Sequence, residues 1–439
     1  MAAPTVAVVG GGLLGAALTL RLAQAGAQVT LLERASTLGG LAGDLEFDGH
    51  VVDRFYHVVT PADERMIAAI DEVGLSAELH FSPVGVGFRV DGRTYPFNGI
   101  GDFARFSALS PLGRARLAAW VVRCQLQSRA GRLEDTSLLA WLRRTCGAEV
   151  TERIWRPLLD SRFDGRHDEL PATYLWARTR RMSSARTGAD RRETMGALRG
   201  GHASLVRALV QRAQTHGATL ELGAVVEGLT GDRAHVRGLR VGGQDRDFDL
   251  VVATQQPPAL AHLLGPDRAS LLAPYPKRFL GVVCAILKTR RELLPFYSIN
   301  LAEPTPITTV VEASQVVGTA HTDGLRLVYL PKYCEADAPE FTEADEQFVA
   351  RAYDKLRELD PSFDPGRDVA AWTVQRAKVV EPVHARGVHP RVAPFVPPGT
   401  RGLALVSAAQ IYPRLLNGES ILGLAADAHP QLTQTLGLG

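Results

Sequence analysis

The sequence predicts an α/β protein: a Rossmann-type dinucleotide-binding domain into which an α+β domain, a mixed sheet plus a helical part, is inserted in two pieces. Three observations predict it. Residues 6–33 read as an apolar strand, a glycine-rich turn, a helix and a second strand ending in an acid. The same patterning returns after Leu198 and again at Leu403–Val406. Between about Leu260 and Val396 the strands lengthen, rich in valine, leucine and threonine and bounded by prolines, as in a mixed or antiparallel sheet. Residues 1–75, 195–260 and 400–439 are therefore expected to form the dinucleotide domain, and 76–194 and 261–399 the substrate domain.

Val6–Val9 is short and apolar, as a parallel strand buried on both faces requires. It runs into Gly10-Gly11-Gly12-Leu13-Leu14-Gly15. Gly10 permits the tight turn, Gly12 lets a pyrophosphate approach the backbone, and Gly15 brings the helix close to the strand. The helix from Leu13 to about Gln24, stopped at Gly26, aims its unpaired N–H groups at the phosphates. The strand Gln28–Leu32 ends at Glu33, whose carboxylate can accept hydrogen bonds from both ribose hydroxyls. With 42 glycines in 439 residues the motif alone is weak, but this context argues against a bare tight turn. Arg34 would suit a 2′-phosphate, yet Glu33 beside it repels that charge. Gly39-Gly40, six residues past Glu33, lets the backbone pass close to the rest of the pyrophosphate and a flavin.

That Glu33-x5-Gly39-Gly40 spacing resembles the extended FAD fingerprint of the flavin amine oxidase and protoporphyrinogen oxidase superfamily. The same superfamily holds the carotenoid desaturases and, distantly, the UDP-galactopyranose mutases. Alternation around Asp48-Gly49 reads as a hairpin. Its second arm leads into Asp53-Arg54-Phe55-Tyr56-His57, where the superfamily has a D-x-G-x-H-like segment; the glycine is replaced here. This form is similar to a bacterial protoporphyrinogen-oxidase-like branch, and the resemblance implies that Tyr56 and His57 lie near the isoalloxazine. It further implies cofactor contacts from Leu41 and Ala42, from Val225 or Val226 to the adenine, and from Ala253-Thr254 at the exit of the domain. The closing helix that begins at Asn417-Gly418-Glu419-Ser420-Ile421 would face the flavin N1–C2=O edge, where negative charge gathers on reduction. Ser407 departs from the pattern, since relatives often carry glycine there. Leu41 stands where many amine oxidases place an arginine. No cysteine follows Cys334, which argues against a cysteinyl-linked flavin, so FAD is expected to be held non-covalently.

The rest of the chain follows in order. Residues 61–78 read as a helix ended near Gly74, and Asp91-Gly92 joins strands Val84–Val90 and Thr94–Phe97. Residues 100–147 are helical and arginine-rich, with Leu117, Trp120, Val121 and Cys124 on one face and Arg116 and Arg123 on another. Such a helix suits peripheral contact with a membrane, although packing on its own core is commoner. Six arginines fall between Arg178 and Arg192. They read as an anion clamp for substrate or as a solvated edge partly neutralised by Asp190 and Glu193. A helix with Leu205, Leu209 and Ala213 on one face leads to strands Thr219–Leu222 and Ala224–Val226. A hairpin of His235–Val241 and Asp247–Val252 follows. The inserted sheet is read at Phe279–Leu287, Ile307–Glu312 and Leu325–Leu330.

Composition narrows the class. A hydrophobic fraction of 46% with 22% charged residues is that of a globular protein. The net charge of +2, with arginines interleaved among acids, gives no nucleic-acid footprint. Four cysteines without C-x-x-C fit a reduced cytoplasm and no zinc site. No apolar run is long enough to span a membrane, and the chain enters its first strand without a secretory signal. No metal-ligand spacing and no Ser-His-Asp pattern competes with a flavin.

Flavin chemistry asks little of a protein: a C–H held against N5, and a base for any O–H or N–H proton. His57 and Glu312 are the expected bases. Tyr56, Tyr329, Lys332, Gln410 and Tyr412 complete the candidate pocket. The expected function is hydride removal from a C–H next to O or N, or desaturation, with O2 or a quinone as electron acceptor. The expected substrate is a small molecule, with anions, glycosyl compounds and secondary metabolites among the candidates. A non-redox mutase acting on a sugar nucleotide is the alternative, with the arginine run holding the diphosphate.

Overall fold

The computed structural model describes residues 2–184, 186–187, 192–387 and 393–438, with side chains outside 183–192. A five-stranded, all-parallel sheet runs in the order Thr219–Leu222, Gln28–Glu33, Thr5–Val9, Leu250–Ala253, Leu403–Leu405. Its central strand, Thr5–Val9, is apolar because both faces are covered. Val6 and Val8 pack against helices Leu13–Gln24, Gly201–Thr215 and Gly418–Thr435, while Ala7 and Val9 meet Leu260, Val236 and Leu239 on the other side.

A seven-stranded mixed sheet forms the second layer system. Its order is Val369–Val383, Arg278–Thr289, Arg326–Glu335, Thr309–Glu312, Ser298–Ala302, Val86–Val90, Arg93–Pro96. Side chains alternate between two cores. One face carries Cys284, Ile286, Val311 and Tyr329 toward Phe55 and Met195. The other carries Val283, Ala285, Val310 and Val328 toward Phe348 and Leu356 of helix Asp345–Leu359. A helical part, including Pro111–Leu126, Leu138–Cys146 and Ala172–Ser184, packs around Trp120, Trp141 and Phe163. Leu117 and Cys124 of the first helix enter that core as expected, whereas Leu112, Val122 and Leu126 stay exposed.

Some elements depart from the sequence reading. The hairpin expected from His235–Val241 and Asp247–Val252 instead joins Val236–Val241 to Gln244–Asp247. Leu250–Ala253 is a separate parallel strand, and its four buried residues explain its apolar run. The strand Val369–Val383 has no expected counterpart, because arginine and lysine interrupt its alternation. Helix Glu64–Glu72 is shorter than residues 61–78, and the closing helix runs over Gly418–Thr435. Among the described residues no helix is long and apolar enough to cross a membrane.

Candidate functional site

The first strand and helix meet at a backbone cradle. No side chain caps helix Leu13–Gln24, whose N-cap is Gly12, so Leu13 and Leu14 sit in a first turn with donors unclaimed by side chains. A Cβ on Gly15 would stand 1.9 Å from the Gly10 carbonyl oxygen, whereas one on Gly12 would meet only the Gly39 carbonyl at 3.8 Å. The second glycine turn locks onto the first. Gly39, at φ +128°, donates its N–H to Gly11 at 2.9 Å, and Gly40 follows in a short 3-10 turn with Leu41 and Ala42.

Glu33 stands beside this cradle. Its carboxylate accepts from the Gly11 N–H at 2.7 Å and the Ala35 N–H at 2.8 Å. Ala224 donates to the Glu33 carbonyl at 2.9 Å, which brings exposed Val225 and half-buried Val226 to the same edge. Ala253 is buried, and Thr254 Oγ1 donates to the Val9 carbonyl at 2.8 Å, under Gly10. Arg34 is exposed. An open backbone approach at Gly12, free helix donors and a fixed acid fit an adenine dinucleotide.

At the C-terminal helix, Asn417 caps the first turn by accepting from the Ser420 N–H at 2.9 Å. Gly418 packs where a Cβ would stand 2.8 Å from Met66 Sδ, Ser420 is buried, and Ile421 packs on the core. Glu419 differs from the expectation. Its carboxylate accepts from the backbone N–H groups of Arg65 and Met66 at 2.8 and 3.0 Å, and pairs with Arg65 Nη1. It fastens two helices and is committed away from a cofactor. Ser407, where relatives have glycine, is extended at φ −121° and caps the turn Ala408–Gln410. No glycine is needed there.

Past the hairpin, Asp53, His57 and His202 form a tight cluster, each presenting a ligand-type atom within 4.8 Å of the others. His57 and His202 stack with ring centroids 4.7 Å apart, and the His202 backbone N–H donates to Asp53 Oδ1 at 3.1 Å. His57 Nδ1 is buried without a hydrogen-bond partner among the described residues, although the Phe55 backbone acts on the ring and favours its protonated form. Burial lowers His57 to about 4 and His202 well below the usual imidazole range, and it raises Asp53 to about 7. The group could hold a divalent cation, but two stacked rings do not converge on a point as metal ligands do.

Tyr329 joins the same cluster: its hydroxyl donates to the Asp53 carbonyl at 2.8 Å, and its ring lies 6.3 Å from that of Tyr56. Tyr56 leads on to Tyr333, whose ring lies 3.3 Å beneath the Arg162 guanidinium, and Arg162 is paired with buried Glu381. Burial holds the Tyr56 and Tyr329 phenols well above their ordinary range, so both stay protonated.

Four candidates lie elsewhere. Glu312 follows Val311, the cross-strand partner of Tyr329, and so projects from the opposite face of the sheet. There it pairs with Arg326 at 2.8 Å and accepts from the Leu293 N–H, a structural role that removes it as a base. Lys332, three residues from Tyr329, falls on the alternate face with Nζ 3.6 Å from Asp164. Gln410 spends its amide on the Ser407 N–H and the Ala393 and Leu405 carbonyls, and so closes a turn. Tyr412 is half-buried with its ring 4.8 Å from His384.

The arginine run is not a free clamp. Arg180 donates to the carbonyls of Gln125 and Gln127, and Arg181 grips Asp63 at 2.5 and 3.1 Å. Arg191 and the side chains of Arg186 and Arg192 lie outside the described residues. His202, Arg162 and Glu381 were not read from the sequence as site residues. His202 follows Gly200-Gly201, which is a usable signal; Arg162 and Glu381 meet only through the fold.

The model of the family of flavin-containing amine oxidoreductases matches residues 14–383. No curated protein matches the sequence. Among solved structures, a protoporphyrinogen oxidase-like protein from Exiguobacterium sp. 255-15 aligns at TM-score 0.74 and 16% identity over 99% of each chain. A putrescine oxidase bound to putrescine aligns at 0.73 and 14%, again over 99% of each chain. A reduced UDP-galactopyranose mutase aligns at 0.72 and 15%, over 99% of this chain and 97% of its own. These likenesses show the fold. The family match together with the cradle, the paired glycine turns and Glu33 identifies the chain as an FAD-dependent oxidoreductase belonging to the flavin-containing amine oxidoreductase family.

Proposed function

We propose that the protein removes hydride from a small-molecule C–H next to oxygen or nitrogen, or desaturates a ring or chain, with FAD held non-covalently. Bound FAD supplies the two-electron acceptor. The chain supplies the cradle and Glu33 for its adenosine half, and residues 1–75, 195–260 and 400–439 form that domain. His57 is the base, and the observation that carries this is its Nδ1, buried without a partner among the described residues, on a ring that burial keeps neutral at physiological pH. Tyr56 and Tyr329 remain protonated; Tyr329 gives its one hydroxyl hydrogen to the Asp53 carbonyl and fixes that wall, while Tyr56 lines the approach. Asp53 and His202 hold the imidazole in place through the stack and the backbone hydrogen bond.

The mutase alternative drew on the arginine run, and the engagement of Arg180 and Arg181 with protein groups weakens it. Anaerobic titration separates the two readings. An oxidoreductase bleaches its flavin stoichiometrically with substrate, whereas a mutase turns over only after prior reduction. O2 or a quinone is the reoxidant, and reoxidation rates with each identify which.

A further inference from the structure

Glu381, paired with Arg162 behind it, lies in the wall of a cavity whose empty volume, with the open solvent at its mouth, is about 460 Å³. Phe163, Tyr174, Pro382, His384, Tyr412 and Leu415 line it. Leu416, also in its wall, precedes Asn417, the cap of the C-terminal helix. The cavity thus lies between that helix start and the Tyr56–Tyr333–Arg162 line. Its walls are mostly apolar, and its charged groups are spoken for: Glu381 by Arg162, and Arg414 by Asp427 at 2.6 Å.

His384 is the exception. Both its ring nitrogens are buried, and neither has a hydrogen-bond partner among the described residues. Buried polar atoms in folded proteins are nearly always satisfied, so two orphans on one ring facing a cavity point to a group that arrives from outside. Burial lowers this imidazole to about 4, so near neutrality it offers one N–H donor and one bare nitrogen. A hydroxyl satisfies either nitrogen and a carbonyl satisfies the N–H. A protonated amine would find no unpaired carboxylate among the described lining residues. It would also sit near Arg162 and Arg178, both of which act electrostatically on Tyr174.

We propose that His384 is the specificity-determining residue of this cavity, which takes an uncharged, apolar-bodied substrate by one hydroxyl or carbonyl oxygen and not by an ammonium group. This rests on the oxidoreductase reading only in treating the cavity as the substrate's.

The test is calorimetric titration of the FAD-loaded protein with cyclohexanol, cyclohexanone, cyclohexylammonium and cyclohexanecarboxylate. The two neutral probes should bind more tightly than either ion. His384→Leu should weaken the neutral probes about tenfold, the effect of one lost neutral hydrogen bond. His384→Gln, which keeps a donor and an acceptor, should recover most of that. Tighter binding of either ion, or equal binding of the neutral probes by wild type and His384→Leu, overturns the proposal. Should His384→Leu not fold, the neutral-over-charged ranking in the wild type decides alone. Because binding is read without turnover, a flavin that no substrate reduces would sink the redox reading and leave this one standing.

Discussion

His57 and His202 lie ring against ring, 4.7 Å between centroids and 30° from parallel, with Asp53 beside both. Two imidazoles so close cannot both carry charge cheaply, and the proximity of His57 adds to burial in holding His202 uncharged. The same enclosure pushes Asp53 the opposite way, toward its own neutral form. The floor of the candidate site is therefore a set of groups held in their uncharged forms by desolvation, with both imidazoles unprotonated near neutrality.

Stability should respond to pH in two opposed ways. Asp53, raised from 3.8 to about 7, favours the folded state fully below pH 4, and that contribution is lost as pH rises through 7. His57, lowered from 6.5 to about 4, favours the folded state above 6.5, and its contribution is lost as pH falls toward 4. Asp53→Asn should remove the first component, at most about 4 kcal/mol for a three-unit shift, and make Tm climb more steeply between pH 4 and 7. Unchanged Tm-versus-pH curves would show that Asp53 titrates as a solvated acid.

His57→Ala should slow flavin reduction by roughly a hundredfold or more while leaving substrate affinity nearly unchanged, as expected of a group acting on the proton. Single-turnover stopped-flow at saturating substrate measures this. An effect confined to KM would make His57 a binding residue.

Glu33→Ala should weaken FAD by about 2 kcal/mol, from two charge-assisted hydrogen bonds. Fluorescence titration of the apoprotein reads the change, and an unaltered Kd would refute the ribose assignment. Part of any loss must come from the turn itself, since Glu33 also fixes the Gly11 and Ala35 N–H groups.

Gly15→Ala places a methyl 1.9 Å from a carbonyl oxygen that is part of the cradle. The helix can yield only by leaving the strand, so the cost should be about 1–3 kcal/mol of stability. Flavin occupancy after purification should fall with it. A fully yellow Gly15→Ala protein with wild-type Tm would contradict the close packing.

Glu381→Gln leaves the Arg162 guanidinium buried without its partner, and should cost about 3–5 kcal/mol. The double change Arg162→Met with Glu381→Gln should restore much of that, because no buried charge remains. Denaturant unfolding of the two variants beside the wild type compares them directly.

What could be read in the sequence was local. The turn at Gly10–Gly15 and the hairpin at Asp48-Gly49, where both residues take positive φ, are set by neighbours in the chain. Glu312 as a base and Tyr329 as a pocket residue were expected to share one site, but strand register puts them on opposite faces, and register is a pairing property. Gln410 looked like a pocket amide and is a turn closure. Arg180 and Arg181 looked like a cluster of free charge, but the hydrogen-bond partners that claim them come from elsewhere in the fold. His384 had no motif at all. Its importance rests on two nitrogens without partners among the described residues, a fact that only coordinates express.

The order of strands in the parallel sheet has a consequence for synthesis. Thr5–Val9 is made first, yet its neighbour Leu250–Ala253 and the edge Leu403–Leu405 emerge from the ribosome only after most of the chain has been translated. Pairings across such distances form slowly, since long loops must close before they are rewarded. The nascent fingerprint therefore spends most of translation with one side of its sheet unpaired. A ribosome-stalled chain that ends before residue 403 should hold FAD poorly, so that the cofactor is expected to enter late.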